Sequence, residues 1–265
     1  MYDRFNREIN YLRISVTDKC NLRCVYCMPS EGVPKKKHKD FLSLEEITEV
    51  VREGAALGLR KVRLTGGEPL VKRGIADLVS MISSVKGVEH LAMTTNGVLL
   101  EGLAPDLRTA GLDSLNISLD TLSPERYNRI TRVGDITPVL RGLDAAAAAG
   151  FPIKINTVIT DDTSAEELEA LRQFCFSRGF RIQFINHFSI CGEKRDDYRF
   201  DRPPACRDCN RIRLLAEGIL KPCLHSDDEI VLDKNDIRGC LIETIRRKPE
   251  HGSVCGSRDM HEIGG

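Results

Sequence analysis

The run Tyr11-Leu12-Arg13-Ile14-Ser15-Val16-Thr17 passes, after Asp18 and Lys19, into Cys20-Asn21-Leu22-Arg23-Cys24-Val25-Tyr26-Cys27. The first seven residues alternate in polarity and are rich in strand formers. The eight that follow carry three cysteines as C-x3-C-x2-C. A strand opening at its C-terminal end into a thiol-bearing loop is one unit of a parallel α/β site, because parallel strands present their C-termini on one face. The unit recurs along the chain. Strand-like segments lie at residues 61–65, 89–94, 114–119, 153–159 and 181–186. Ser43-Leu44-Glu45-Glu46 reads as a capping box, with Ile47, Val50, Val51 and Leu57 following near helical spacing. Further helices are predicted at 74–84, 104–110, 137–149 and 165–177, the last introduced by Asp161-Asp162-Thr163-Ser164. Gly150-Phe151-Pro152 stops the helix before it. Six strand–helix alternations predict an α/β fold, a partial (βα)6 TIM-type barrel with right-handed crossovers. Residues 211–215 and 219–224, turning at Glu217-Gly218, predict a C-terminal β-hairpin. The division expected is a barrel over 1–190 and a second region over 191–265.

The chain has 265 residues, ten of them cysteine, with 39 Lys plus Arg against 39 Asp plus Glu. Zero formal charge argues against broad nucleic-acid binding, which needs a cationic excess facing phosphates. The longest apolar stretch, residues 145–151, is too short to cross a bilayer. Residues 1–8 are polar and lack a signal-peptide core. A cytoplasmic protein without nucleic-acid or membrane partners is expected, and in a reducing compartment ten cysteines predict ligands rather than disulfides. Six fall into two sets, Cys20, Cys24 and Cys27, then Cys206, Cys209 and Cys223. Structural zinc closes its site with four ligands. Three thiolates on a four-iron cluster leave one iron open. Two sets of three therefore predict two open sites, although the second set with His225 also suits a Cys3His zinc site. Cys175, Cys191, Cys240 and Cys255 stand apart and read as small buried hydrophobes. Cys191 and Cys255, in loop-like sequence, are also candidates for a place near a cluster.

Other unusual residues map to the same predicted face. Gly66-Gly67-Glu68-Pro69 follows the second strand and Thr94-Thr95-Asn96-Gly97 the third. Ser118 and Asp120 end the fourth, Asn156 lies in the fifth, and Asn186-His187 ends the sixth. Each alone reads as a turn or a helix cap, Asp120 as a cap before Ser123-Pro124. Together, at the C-terminal ends of parallel strands, they predict an active site.

The cysteine motif and Gly66-Gly67-Glu68-Pro69 together resemble the radical S-adenosylmethionine (SAM) enzymes. Along nearly the whole chain the resemblance is to the MoaA-type GTP 3′,8-cyclases of molybdenum cofactor biosynthesis. It includes residues 12–18, Arg63-Leu64-Thr65, the stretch from Cys206 through Cys223-Leu224, and the terminal Ile263-Gly264-Gly265. The resemblance implies a [4Fe-4S] cluster on Cys20, Cys24 and Cys27 that binds and reductively cleaves SAM to a 5′-deoxyadenosyl radical. It implies a second [4Fe-4S] cluster on Cys206, Cys209 and Cys223. Tyr26, Gly66, Gly67, Glu68, Ser118 and Asn156 would contact SAM. Arg13, Lys61, Arg63, Thr94, Lys154, Arg211 and Arg213 would hold GTP, since several cations match a triphosphate. Arg13, Arg211, Arg213 and the tail glycines Gly264 and Gly265 would serve catalysis, the tail carrying Arg258 toward the site. The electron donor would be of flavodoxin or ferredoxin type. Lys61 reads equally as an ordinary ion-pair partner, and residues 35–39 as a solvated basic loop.

The sequence departs from that family in one region. After the sixth strand the family reads Arg-Phe-Ile-Glu, an aromatic, then Met; here Gln183-Phe184-Ile185-Asn186-His187-Phe188 stands instead. Only 13 residues separate Gly192 from Cys206, where the family has several dozen more. These changes leave two enzymatic expectations open, cyclisation of GTP or radical chemistry on another small molecule or a peptide. A non-enzymatic metal protein, with zinc in the second set, is a third.

Overall fold

In the first five strands alternate side chains are apolar and buried. Leu12 and Ile14, Val62 and Leu64, Leu91 and Met93, Leu115 and Ile117, and Ile153 and Ile155 are all buried in one hydrophobic core. Arg13, Arg63, Asn116 and Lys154 lie between the pairs on β1, β2, β4 and β5, and Thr94 follows Met93 on β3. A period of two makes these opposite faces of the sheet. One face packs under helices and the other is left to polar chemistry.

The computed structural model describes residues 1–33, 40–192, 200 and 205–264. The strands are β1 (Tyr11–Ser15), β2 (Lys61–Thr65), β3 (His90–Thr95), β4 (Ser114–Ser118), β5 (Ile153–Ile159) and β6 (Arg181–Asn186). Helices α1 (Leu44–Ala56), α2 (Ile75–Ser83), α3 (Leu100–Thr109), α4 (Pro124–Thr131), α5 (Ile136–Ala148) and α6 (Ala165–Ser177) connect them. All six strands run parallel in chain order, which is the expected partial (βα)6 barrel. The capping box at Ser43 is present: Ser43 Oγ accepts from Glu46 N and Glu46 Oε2 accepts from Ser43 N. Ser164 caps α6, as the run before it predicts.

The hairpin forms from β7 (Arg211–Leu214) and β8 (Ile219–Lys221), followed by β9 (Ile230–Val231) and α7 (Ile237–Arg246). Its pairing was not legible beforehand. β7 lies parallel to β1, so the sheet order is β6-β5-β4-β3-β2-β1-β7-β8-β9. The C-terminal region thus continues the barrel sheet past β1. A short helix α8 (Met260–Ile263) ends the described chain. Helices α4, α7 and the one-turn α8 escaped prediction. In α4 the cap is Ser123, whose Oγ accepts from Arg126 N, so Asp120 is not the cap. In α7 the buried Leu241 and Ile245 are interspersed among charged residues, which hides the apolar period. Residues 35–39, Gly265 and most of the connection before Cys206 lie outside the described residues. Among the described residues no helix is long and apolar enough to cross a membrane.

One contact in this frame reaches the site. Helix α5 presses on the turn after β3, where a Cβ added to Gly142 would meet Gly97 O at 2.4 Å. Gly102, in α3, has open space around it. Gly142→Ala should therefore destabilise the apoprotein by about 1–3 kcal/mol through overpacking. Gly102→Ala should stabilise it by about 0.5–1 kcal/mol through helix propensity. Urea unfolding under reducing conditions reads both, and equal effects of the two changes would refute the packing argument.

Candidate active site

The loop after β1 carries the first cysteine triad and is held from several sides. Arg23 N donates to Thr131 O and Val25 N to Ile130 O, docking the loop on the end of α4. Arg23 Nη1 reaches Cys20 O and Leu22 O, both at 2.8 Å. Leu22 N donates to Cys20 Sγ at 3.4 Å. Burial pushes all three thiols up, Cys27 to about 12, and the sulfurs raise one another further. Thiols that disfavour one another's ionisation need a cationic centre to become thiolates, which is the service a metal cluster performs.

Gly66 and Gly67 lie directly against this loop. A Cβ on Gly66 would sit 2.5 Å from Thr17 O, and one on Gly67 2.4 Å from Lys19 O. Gly66 also has a φ of 152°, which glycine tolerates best. Gly67 N donates to Thr17 O and Glu68 N to Lys19 O. The buried Glu68 carboxylate turns inward. Oε1 accepts from Thr95 Oγ1 (2.6 Å) and Leu70 N (3.0 Å), and Oε2 from Asn96 N (2.7 Å). Burial, only partly offset by those hydrogen bonds, pushes Glu68 up to about 7. Asn96 Nδ2 in turn donates to Asn21 Oδ1 at 2.7 Å. The three predicted turns therefore form one hydrogen-bonded unit. Tyr26 donates to Asp120 Oδ2 at 2.5 Å, while Asp120 Oδ1 accepts from Val158 N at 2.8 Å. Burial lifts Asp120 to about 6. Sequence reasoning missed this role for Asp120. Its position after β4 was a signal, but its partner was not.

Ser118 and Asn156 face each other across β4 and β5. Asn156 Oδ1 and Asn186 Nδ2 are buried and, among the described residues, have no hydrogen-bond partner. Buried polar atoms of this kind ask for a ligand or water. They fit a polar cofactor lying over the strand ends.

The predicted cations stand in rows. Register places Arg63, Arg13 and Arg213 abreast on β2, β1 and β7, and Lys61, Tyr11 and Arg211 abreast one pleat below. Arg63 Nε donates to Tyr11 Oη at 2.5 Å, and Arg63 Nη1 reaches Thr94 Oγ1 at 3.4 Å. Burial and mutual repulsion pull Arg13 well below its ordinary pKa and Arg213 down to about 10. Burial alone would raise Tyr11, but Arg63, Arg13 and Arg211 overcome it and lower the phenol. This is a cavity wall that favours anions. Lys154 lies further round and donates to Gln183 Oε1 at 2.7 Å.

The C-terminal tail reaches the same row. Gly264 O accepts from Arg213 Nη1 at 3.0 Å and from Arg13 Nη2 at 3.5 Å. Arg258 does not enter the site. Its guanidinium is taken by Glu217 (2.5 Å), Glu229 (2.9 Å) and Glu262 (3.5 Å), which hold it to the hairpin. Cys209 and Cys223 both act electrostatically on Arg213, so the second triad borders the cationic row. The Phe188 ring lies 5.6 Å from His225. Of the remaining cysteines, Cys175 is in the core and Cys255 is buried with Ile190, Leu215 and Ile263. Cys191 is exposed and Cys240 half-buried. Among the described residues, the set of three donors within 4.8 Å of one another is Asp259, His261 and Glu262. Asp259 and Glu262 form a capping box, and neither cysteine triad is drawn that close.

Comparison with known proteins agrees with this arrangement. Residues 14–175 match the model of the radical SAM superfamily. GTP 3′,8-cyclase of Alkaliphilus oremlandii is 38% identical over an alignment of 320 positions covering all of both chains. That of Peptoclostridium acidaminophilum is 40% identical, covering 100% of this chain and 98% of the relative. Among solved structures, Streptococcus suis SuiB bound to precursor peptide SuiA aligns with a TM-score of 0.68 at 16% identity, over 83% of this chain and 60% of that one. The enzyme anSMEcpe with bound AdoMet aligns with a TM-score of 0.65 at 16% identity, over 96% and 82%. At that identity the solved structures speak for the fold alone.

The Glu68 carboxylate yields a test that needs no cofactor. Its folded pKa, about 7, lies above the ordinary 4.5. The stability this shift represents is full below about pH 4.5 and is lost as pH rises through 7. In urea unfolding of the apoprotein, Glu68→Gln should flatten that fall between pH 4.5 and 7. An unchanged pH profile would refute the assignment.

Proposed function

Because the chain belongs to the radical SAM superfamily and, within it, to the GTP 3′,8-cyclases, we propose that it cyclises GTP to 3′,8-cyclo-7,8-dihydro-GTP using two [4Fe-4S] clusters. Membership itself brings one such cluster, SAM and a small-molecule substrate. Residues 1–190 would carry the SAM-cleaving site and 191–265 the auxiliary cluster. The observation that carries the substrate assignment is the row Arg63, Arg13 and Arg213, three cations abreast on adjacent strands, with burial and neighbouring arginines drawing Arg13 and Arg213 below their ordinary pKa.

Cys20, Cys24 and Cys27 would hold the first cluster. When bound there, the cluster supplies an electron and an open iron for reductive cleavage of SAM to methionine and a 5′-deoxyadenosyl radical. The backbone of Gly66 and Gly67 lines the methionine end of SAM, with Glu68 bracing the turn from behind. Ser118 and Asn156 take its polar groups, and the Tyr26 ring packs toward its adenine with its hydroxyl fixed by Asp120. Arg13, Lys61, Arg63, Lys154, Arg211 and Arg213 neutralise the triphosphate, and Thr94 contacts the nucleoside. Gly264 orients Arg13 and Arg213 for the reaction through its carbonyl, which accepts from both. Cys206, Cys209 and Cys223 would hold the second cluster at the purine. A flavodoxin or ferredoxin would supply electrons.

A second reading is radical chemistry on another small molecule or a peptide. It rests on Gln183, Asn186 and Phe188, which replace family residues, and on the chain's 265 residues in a 320-position alignment.

One anaerobic experiment separates these readings. The reconstituted protein should carry about eight irons per chain and convert GTP in the presence of SAM and reductant. Cys24→Ala should abolish 5′-deoxyadenosine formation, and Arg213→Ala should weaken nucleotide binding about 10–100-fold. Formation of 5′-deoxyadenosine with GTP neither bound nor consumed would transfer the assignment to the second reading.

A further inference from the structure

Lys248 is almost fully buried at the end of α7, beside the second cysteine triad. Its ammonium donates to Arg211 O at 2.7 Å and to Pro222 O at 2.9 Å. Pro222 precedes Cys223 and Arg211 follows Cys209 by two, so one ammonium ties together the two strands that bring these cysteines to one place. Two other buried cations show what is unusual here. Lys221 is completely buried and faces Glu229 at 3.1 Å. Arg7 donates to Cys206 O at 2.7 Å and Pro249 O at 2.7 Å, and faces Asp3 at 2.7 Å. Each of these has a carboxylate. Among the described residues, the Lys248 ammonium has two carbonyls and no carboxylate.

A buried ammonium without an anion is strongly disfavoured, and carbonyl dipoles compensate it only in part. Among the described residues, that counter-charge falls to the cysteine site. We propose that Lys248 is a positioning residue of the C-terminal cluster site, holding Cys209 and Cys223 in place and setting the reduction potential of the cluster they bind. A fixed positive charge nearby favours the more negative, reduced form of an iron–sulfur centre, so it raises the potential. Arg211 and Arg213 add positive charge nearby, but Arg213 directs its donors to Ile263 O and Gly264 O.

The proposal rests on the two-cluster reading, and its test separates the two. The full chain carrying Cys20→Ala, Cys24→Ala and Cys27→Ala is reconstituted anaerobically with iron and sulfide, leaving the C-terminal site alone to load. Its potential is followed by EPR-monitored redox titration and its iron loss by chelator competition. Lys248→Gln, which keeps a donor and removes the charge, should shift the midpoint to more negative values and weaken iron retention about 10–100-fold. Lys248→Arg should restore both toward wild type. If no iron and sulfide load in the parent triple variant, the two-cluster reading itself fails and the proposal falls with it. If the cluster loads and Lys248→Gln leaves its potential unchanged, or Lys248→Arg shifts it equally, the role of the charge is refuted. A measurement without substitution guards against a variant that fails to fold. With 15N-lysine in the parent chain, spin-echo spectroscopy of the reduced cluster should show a lysine nitrogen coupling, and its absence would overturn the proposal.

Discussion

Three guanidinium groups abreast on adjacent parallel strands repel one another, and the surrounding structure is arranged to contain that repulsion. Strands lie ~4.8 Å apart. At the effective dielectric of a partly buried site, unit charges at that spacing repel by roughly 3 kcal/mol per pair. The neighbours of Arg13, Arg63 and Arg213 answer with dipoles: the Tyr11 phenol, the Thr94 hydroxyl and the carbonyls of Ile263 and Gly264. Dipoles orient the guanidinium groups without neutralising them. The row remains set for an anion, and a polyanion spanning several strands answers it best.

The cofactor side of the site is organised by exclusion instead. Gly66 and Gly67 come so near the backbone of residues 17–19 that any side chain there would displace the cysteine loop. Glu68 and Asn96 then carry that fixed position across to the turn after β3. The first triad and the glycine turn are therefore parts of one rigid body. Movement of either would disturb the other, which suits a site where an iron, a sulfonium and a carbon atom must be aligned within fractions of an ångström.

Much of this was legible in the sequence. The six barrel strands follow from alternation, since a strand packed on one face only must read apolar and polar in turn. Helices with strong caps at Ser43 and Ser164 were equally readable. Long-range pairing was not. β7 meets β1 across 200 residues of chain, and a four-residue strand carries no signal for its partner. The row of arginines thus existed in the sequence as separate residues and became a row only through register. Buried charges were the other gap. Lys248 and Arg7 sit in polar stretches that carry no local sign of burial, and Asp120 read as a helix cap. Burial of a charge depends on which carbonyls and sulfurs the fold delivers to it, which no local pattern encodes.

The pairing of β1 with β7 also bears on how the chain comes together. β1 precedes the other strands of the sheet in the chain, and β2 follows about fifty residues later to cover one of its edges. Its other edge waits for residues 211–214. Until those are made, a partly assembled parallel sheet exposes the free hydrogen-bonding edge of β1, an invitation to pair with the wrong chain. Closure then requires a contact of very high sequence separation, the kind that forms late and slowly. The same strand that joins the two halves of the site is therefore the place where nascent copies of this protein are most exposed to one another, and slower translation or early binding by a chaperone would act there first.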